Sequence, residues 1–304
     1  MSTRSGVKTV TIGLIQTKAE SEPQANVQKA VRKVREAAQS GAQIVLLPEL
    51  FRTLYFPQTR QTQFFELAEP IPGPTTELFR DLARELGLVV IVPVFERSAS
   101  GLYHNAAVVF DADGALLGIY RKMHIPNDPG YFEKHYFAPG DLGFKSFNTR
   151  YGKLAVMICW DQWFPEAARI AALEGPWILF YPTAIGWHST QGKANRLREC
   201  EAWELIQRSH GISNGVFVAS ANRVGREGDL TFWGKSFVSG PFGEVLASAS
   251  DHREEVLVTA CDLTEILRVR SEWPFLRARR IDAYGPILSE LDSAKHTSCG
   301  GRHD

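Results

Sequence analysis

Apolar residues in this chain fall into two alternating periods. VTIGLIQ (10–16) is a continuous apolar run of strand length. ANVQKAVRKVREAAQSG follows, with Val27, Ala30, Val31, Val34 and Ala38 on one helical face and Gly41 just beyond it. QIVLLPEL (43–50) is apolar again and closed by Pro48, which suits a buried strand that ends there. The cycle repeats in TTELFRDLAREL (75–86), a helix with a Thr cap and with Gly87 as its stop. LVVIVPVF (88–95) and NAAVVFD (105–111) are strands, and DADG (111–114) turns the chain into ALLGIYRK. KLAVMIC (153–159), ILFYPT (178–183), VFVASANRV (216–224) and EEVLVTACDL (254–263) continue the strand series. Between them lie the helices FPEAARIAALEG, with Pro165 in its first turn, and ANRLRECEAWELIQRSHG (194–211). KSFVSGPFGEVLA (235–247) reads as a hairpin around Gly240–Gly243.

Strands apolar on both faces, alternating with amphipathic helices, predict an α/β fold whose sheet is covered by helices. The hairpins predict a mixed sheet. Neither a Gly/Ser/Pro-rich linker nor an internal repeat interrupts the pattern, so one domain is expected over 1–304, folded from about 8 to 290. SAKHTSCGGRHD (293–304) has no apolar period and is expected to be a mobile tail.

Charge narrows the function classes. Lys+Arg and Asp+Glu both number 34, which leaves no global field to recruit nucleic acid or an anionic membrane. No apolar run approaches the ~20 residues that span a bilayer, and MSTRSGVKTV lacks the apolar stretch of a signal peptide. A soluble cytoplasmic protein is expected. Cys159, Cys200, Cys261 and Cys299 are widely separated without a CxxC pair, so they form neither a disulfide framework nor a zinc site by spacing.

Three apolar runs end in one reactive residue each: LLPE in Glu49, GIYRK in Lys122 and VMIC in Cys159. In open α/β sheets, ligand sites form beyond the carboxyl ends of strands, so these three could converge. Singly, each has a plainer reading. Cys159 could be a core thiol, Glu49 a solvated turn residue, and Lys122 a surface charge with Arg121 an equal candidate. Together they are the equipment of covalent acyl transfer. A carboxylate can take the thiol proton and later activate water, and a fixed cation can offset charge on a carbonyl oxygen. Backbone N–H groups after the thiol, where a helix opens near Phe164, could supply a second donor.

LLPEL, GIYRKMHIP and MICWDQWFPEAAR resemble the three signatures of the nitrilase superfamily of carbon–nitrogen hydrolases. The resemblance runs from VTIGLIQT to RRIDAYGPI. It implies that Glu49 is the base, Lys122 the oxyanion-stabilising cation and Cys159 the nucleophile. Glu133, in GYFEKHYFAPGD, would be a second glutamate positioning lysine and substrate. It also implies a four-layer α-β-β-α sandwich, a homodimer or larger homo-oligomer, and no metal or organic cofactor.

KMHIPNDPGYFEKHYFAPGD, ICWDQWFPEAARIAALEG and LFYPTAIGWH are similar to the N-carbamoylputrescine amidases within that superfamily. This implies hydrolysis of N-carbamoylputrescine to putrescine, ammonia and carbon dioxide through a Cys thioester, a step of polyamine biosynthesis. Another ureido or linear amide substrate such as N-carbamoyl-β-alanine, or a non-catalytic scaffold of the same fold, are the alternatives. Relatives that cleave N-carbamoyl-D-amino acids carry arginines shortly after the nucleophile. Here Gln162 and Trp163 stand there, and neither can clamp a carboxylate bidentately. An uncharged or cationic substrate tail is therefore expected. Tyr55, Phe56, Trp160, Trp163 and Trp187 are candidates to line its path. Asp128 is the first candidate for a terminal ammonium, although Asn-Asp-Pro-Gly is also a turn sequence. Asp161 is expected to support the turn after the thiol; His124 and His188 could line the pocket or be structural.

Overall fold

In the computed structural model, which describes residues 9–289, both periods become elements. The chain begins with β1 (Thr9–Gln16), α1 (Pro23–Gln39), β2 (Ile44–Leu46), α2 (Pro74–Leu86), β3 (Val89–Arg97), β4 (Tyr103–Phe110) and β5 (Leu116–Arg121). It continues with β6 (Ser146–Thr149), β7 (Gly152–Val156), α3 (Pro165–Leu173), β8 (Ile178–Pro182), β9 (Gly186–His188), α4 (Lys193–Asn214) and β10 (Phe217–Ala221). Then come β11 (Val224–Glu227), β12 (Leu230–Trp233), β13 (Phe237–Ser239), β14 (Val245–Ser248), β15 (Glu255–Asp262) and α5 (Thr264–Glu272).

Proline opens α1, α2 and α3, where a missing N–H costs nothing. Glycines at positive φ end α2 (Gly87) and α4 (Gly215). The expected Thr cap of α2 is not there. Pro74 takes the first helical position and moves the cap back to Gly73, whose N–H donates to Thr76 Oγ1 at 2.8 Å.

Two six-stranded mixed sheets stack face to face, in the orders β15-β1-β2-β3-β4-β5 and β14-β13-β10-β8-β7-β6. Parallel pairs occupy the centre of each, and antiparallel strands flank them. Between the sheets, Ile12, Leu14, Ile91 and Val109 meet Val156, Phe180, Ala219 and Val238 in one buried cluster. On the reverse face of the first sheet, Val45, Val90 and Val108 pack against Val27, Val34, Phe79 and Leu82 of α1 and α2. Each such side chain contributes about 1.5–3 kcal/mol by leaving water. α3 and α4 cover β8 and β10 of the second sheet. The fold is the expected α/β four-layer α-β-β-α sandwich.

The strands end earlier than their apolar runs. β2 stops at Leu46, because Pro48 cannot donate to a ladder, and β7 stops at Val156. Glu49 and Cys159 therefore lie in irregular backbone beyond the strand ends. A small third sheet, β11-β12-β9, lies outside the two main ones. Its three- and four-residue strands, like β6, are too short for a period to be visible in the sequence. The expected tail at 293–304, with Cys299, lies outside the described residues. Among the described residues no helix is long and apolar enough to cross a membrane.

Candidate active site

Glu49 follows Pro48 in a turn whose next residue, Leu50, has φ +48°. For a leucine that conformation costs about 1–3 kcal/mol and needs support from its surroundings. Arg223, just after β10, supplies it. Its Nε donates to Glu49 O (3.1 Å), and its Nη2 donates to Leu50 O and to Thr53 O (2.8 Å). Its Nη1 meets both carboxylate oxygens of Glu227, at 2.9 and 3.0 Å. The Glu49 side chain is buried. Its Oε1 accepts from Asn105 Nδ2 of β4 (2.6 Å) and Lys122 Nζ (2.8 Å), while Oε2 is buried without a protein partner.

Lys122 is the first residue past β5, and its N–H donates to Asn105 O at 2.8 Å. Nζ also donates to Glu133 Oε2 at 2.6 Å, and all three charged side chains are 0 % exposed. Tyr55 Oη donates to the other oxygen of Glu133 at 2.6 Å. Burial alone would lower the lysine pKa, but Glu133 and Glu49 outweigh it and hold the ammonium charged. Burial pushes Glu133 up to about 7, with the Glu49 charge adding and Lys122 opposing.

Cys159 opens a 3-10 turn, Cys159–Trp163, with φ +44°. The helix α3 then starts at Pro165, with Phe164 as its cap residue, where the sequence placed it. Asp161 holds the turn. Its Oδ2 accepts Ile158 N–H (2.9 Å) and Tyr120 Oη–H (2.7 Å). Its Oδ1 accepts His124 N–H (2.9 Å) and faces His124 Nδ1 (2.8 Å). The His124 ring in turn stacks on Phe164 with centroids 3.7 Å apart. Burial pushes the Cys159 thiol well up, Glu49 reinforcing this and Lys122 opposing it. At neutral pH the sulfur is therefore a thiol, which needs a base to become a nucleophile.

A cavity of about 550 Å³ opens over Cys159. Its buried end includes Cys159 and Glu133; Asp128 and Thr190 mark the exposed end. Trp160, Trp163, Trp233 and Ile185 form apolar walls, and Glu199 and His188 also line it. A larger groove of about 950 Å³ runs beside Tyr55 and Phe56, but none of Glu49, Lys122, Glu133 and Cys159 lines it.

The structure thus brings Glu49, Lys122 and Glu133 together by direct contact, with Cys159 in their electrostatic field. Trp160, Trp163 and Asp128 line the cavity. Tyr55 does not; it is buried behind Glu133, with its hydroxyl committed there. Phe56 stacks instead on Phe95 at 5.2 Å. Trp187 is also off the lining. It packs on Trp233 at 5.4 Å, and its Nε1 donates to Arg196 O at 2.8 Å. Gln162 is buried away from the cavity, its Oε1 accepting Trp203 Nε1 at 2.9 Å. Of these two positions, only Trp163 lines the cavity. His124 is spent on Asp161, and His188 lines the wall.

Asn105, Tyr131, Glu199, Arg223 and Trp233 were not singled out in the sequence. Asn105 had a usable signal, a polar residue heading an apolar strand. Glu199 had none, since a helical glutamate reads as solvated surface.

The sequence model of the Carbon-nitrogen hydrolase family matches residues 11–271. An N-carbamoylputrescine amidase of Solanum lycopersicum is 45% identical over 289 residues, covering 92% of this chain and 95% of that protein. A citrullinase of Francisella tularensis subsp. tularensis is 36% identical over 284 residues, covering 92% and 98%. The crystal structure of a carbon-nitrogen hydrolase from Helicobacter pylori G27 superposes with a TM-score of 0.90 at 44% identity, covering 93% of this chain and all of that one. With a buried lysine–carboxylate cluster behind a cavity that opens over a thiol, and with a match this long, the chain belongs to the carbon-nitrogen hydrolase family.

Proposed function

We propose that this chain hydrolyses N-carbamoylputrescine to putrescine, ammonia and carbon dioxide. One observation carries the choice of substrate. The cavity over Cys159 has aromatic walls and two further carboxylates, Asp128 and Glu199, and among the described residues no lysine or arginine lines it. That is a wall for a cationic alkyl chain, which tryptophan faces also attract. A purely anionic tail, as in N-carbamoyl-β-alanine, would meet like charge there.

The free Oε2 of Glu49 supports its role as base. It takes the Cys159 proton, and the thiolate attacks the ureido carbon. Lys122 Nζ and the Trp160 N–H stabilise the oxyanion. One C–N bond breaks as Glu49 returns its proton to the departing amine. Glu49 then takes a proton from water, the hydroxide cleaves the thioester-linked intermediate, and the thiol is restored. The resulting carbamic acid decomposes to amine and carbon dioxide. Glu133 holds Lys122 in place throughout, and Tyr55 holds Glu133.

Exposed Ile170, Leu173, Leu197 and Leu205 on α3 and α4 support assembly as a homodimer or larger homo-oligomer. Three free thiols among the described residues support a cytoplasmic setting.

The test is a panel of N-carbamoylputrescine, N-carbamoyl-β-alanine and citrulline, assayed by ammonia release. The first is expected to have the highest kcat/KM; preference for either carboxylate compound overturns the substrate. Cys159→Ala is expected to abolish turnover without loss of fold, and normal activity in that variant overturns the mechanism.

A further inference from the structure

We infer that Glu199 is the specificity residue that reads the distal ammonium of the substrate, and that Gln191 holds it for that task. This rests on the reading above, in which the tail is cationic.

Glu199 sits on α4 one residue before Cys200, at the edge of the helix face that buries Cys200, Trp203, Gln207 and His210. Its side chain is half-buried and lines the same cavity as Cys159. Gln191 fixes its position. The Gln191 Oε1 accepts His188 N–H at 2.9 Å, so its amide nitrogen must point the other way. There Nε2 donates to Glu199 Oε1 at 2.7 Å. The loop that carries Gln191 is itself pinned. Arg196 donates through Nε to Gln191 O (2.9 Å) and through Nη2 to Ser189 O (3.1 Å), so its guanidinium is spent on backbone carbonyls.

Glu199 Oε2 has no hydrogen-bond partner, and Glu199 forms no ion pair, among the described residues. A carboxylate oriented on a partly apolar wall without a counter-ion is incomplete, because its lost hydration is not offset. An alkylammonium entering past Trp163 and Trp233 supplies the missing donor and the missing charge together. The negative charge of Glu199 also bears on Tyr131, another lining residue, whose hydroxyl donates to Gly186 O at 2.9 Å. Asp128 lines the cavity too, but from an exposed turn where water screens its charge. Glu199, more enclosed, should therefore discriminate more strongly.

The test compares three ureas of matched length: N-carbamoylputrescine (cationic), 1-pentylurea (neutral) and 5-ureidopentanoate (anionic). In Glu199→Gln, the ratio of kcat/KM for N-carbamoylputrescine to that for 1-pentylurea is expected to fall about 30–100-fold, mainly through KM. Glu199→Asp keeps the charge and should retain most of that ratio. Asp128→Asn should lower it less than Glu199→Gln does, and Gln191→Leu by about 3–10-fold. An unaltered ratio in Glu199→Gln, or a larger loss in Asp128→Asn, overturns the role of Glu199 while leaving the substrate reading intact. A wild-type enzyme that does not prefer the cationic urea overturns the substrate reading, and Glu199's role with it.

Discussion

Replacing Asp161 by asparagine removes one charge and converts one acceptor oxygen into a donor at the turn that carries Cys159. Asp161 faces four donors, two on each oxygen. Asparagine has one oxygen, so its NH2 group must face one pair. Facing Oδ1's partners it meets His124 N–H; facing Oδ2's it meets Ile158 N–H. The Tyr120 hydroxyl can rotate and the His124 ring can change tautomer, but a backbone N–H can do neither. One buried N–H is therefore orphaned, at about 1–3 kcal/mol, and the remaining bonds lose their charge assistance at roughly 1 kcal/mol each. The sum is about 4–6 kcal/mol, which lowers Tm by about 6–10 °C for a chain of this length. The positive φ of Cys159, worth about 1–3 kcal/mol of strain, then loses its main support and relaxes. Steady-state kinetics should show kcat falling about 10–100-fold with KM nearly constant, because each 1.4 kcal/mol is a factor of about ten. Differential scanning fluorimetry reads the first quantity and ammonia release the second. An Asp161→Asn protein with wild-type Tm and kcat would refute the idea that this carboxylate holds the turn.

Other perturbations separate the remaining parts. Tyr55→Phe deletes a 2.6 Å bond to a buried carboxylate, an expected loss of about 1.5–3 kcal/mol, and it should move Glu133 titration further up; chemical denaturation and a pH–rate profile check both. Glu133 has its folded pKa raised to about 7, so between its ordinary value and 7 the folded state keeps a proton the unfolded chain has lost. Its contribution to stability therefore falls as pH rises through that window and levels off above it. Urea unfolding at pH 5 and pH 8 should show Glu133→Gln gaining on the wild type at the higher pH; identical pH dependence in both proteins counts against this. Arg223→Lys cannot reproduce the fork that joins Glu49 O, Leu50 O, Thr53 O and Glu227, so a loss of at least ~3 kcal/mol and a lower kcat at similar KM are expected. Wild-type stability and kcat in that variant would remove the clamp from the account.

Where chemistry followed from chain direction, it was readable in the sequence. Glu49, Lys122 and Cys159 each end an apolar run, and a strand end points at a crevice whatever its neighbours are. The layers were legible for a related reason, since period 2 and period 3.6 decide which faces are dry. Side-chain direction in irregular backbone was not legible. Gln162 and Trp163 are adjacent in a 3-10 turn, yet one is drawn inward by Trp203 and the other lines the cavity. Trp187 and Trp233 lie on neighbouring strands of the small sheet, and only packing decides which of them reaches the lining. Glu199 comes to the cavity from a helix about 40 residues beyond Cys159, a proximity that no local pattern encodes.

The order β15-β1-β2 also bears on how the molecule is made. Among the described strands β1 is the first to leave the ribosome, yet one of its two neighbours, β15, is the last of them, paired from Thr9↔Asp262 to Gln16↔Glu255. About 240 residues must be synthesised before that partner exists, which takes roughly 12–50 s at 5–20 residues per second. During that interval β1 presents an unpaired apolar edge, the kind of surface that captures other nascent chains. A truncated chain stopping before Glu255 would keep that edge permanently. Such fragments should aggregate even though they contain Glu49, Lys122, Glu133 and Cys159, and adding β15 in trans should restore their solubility.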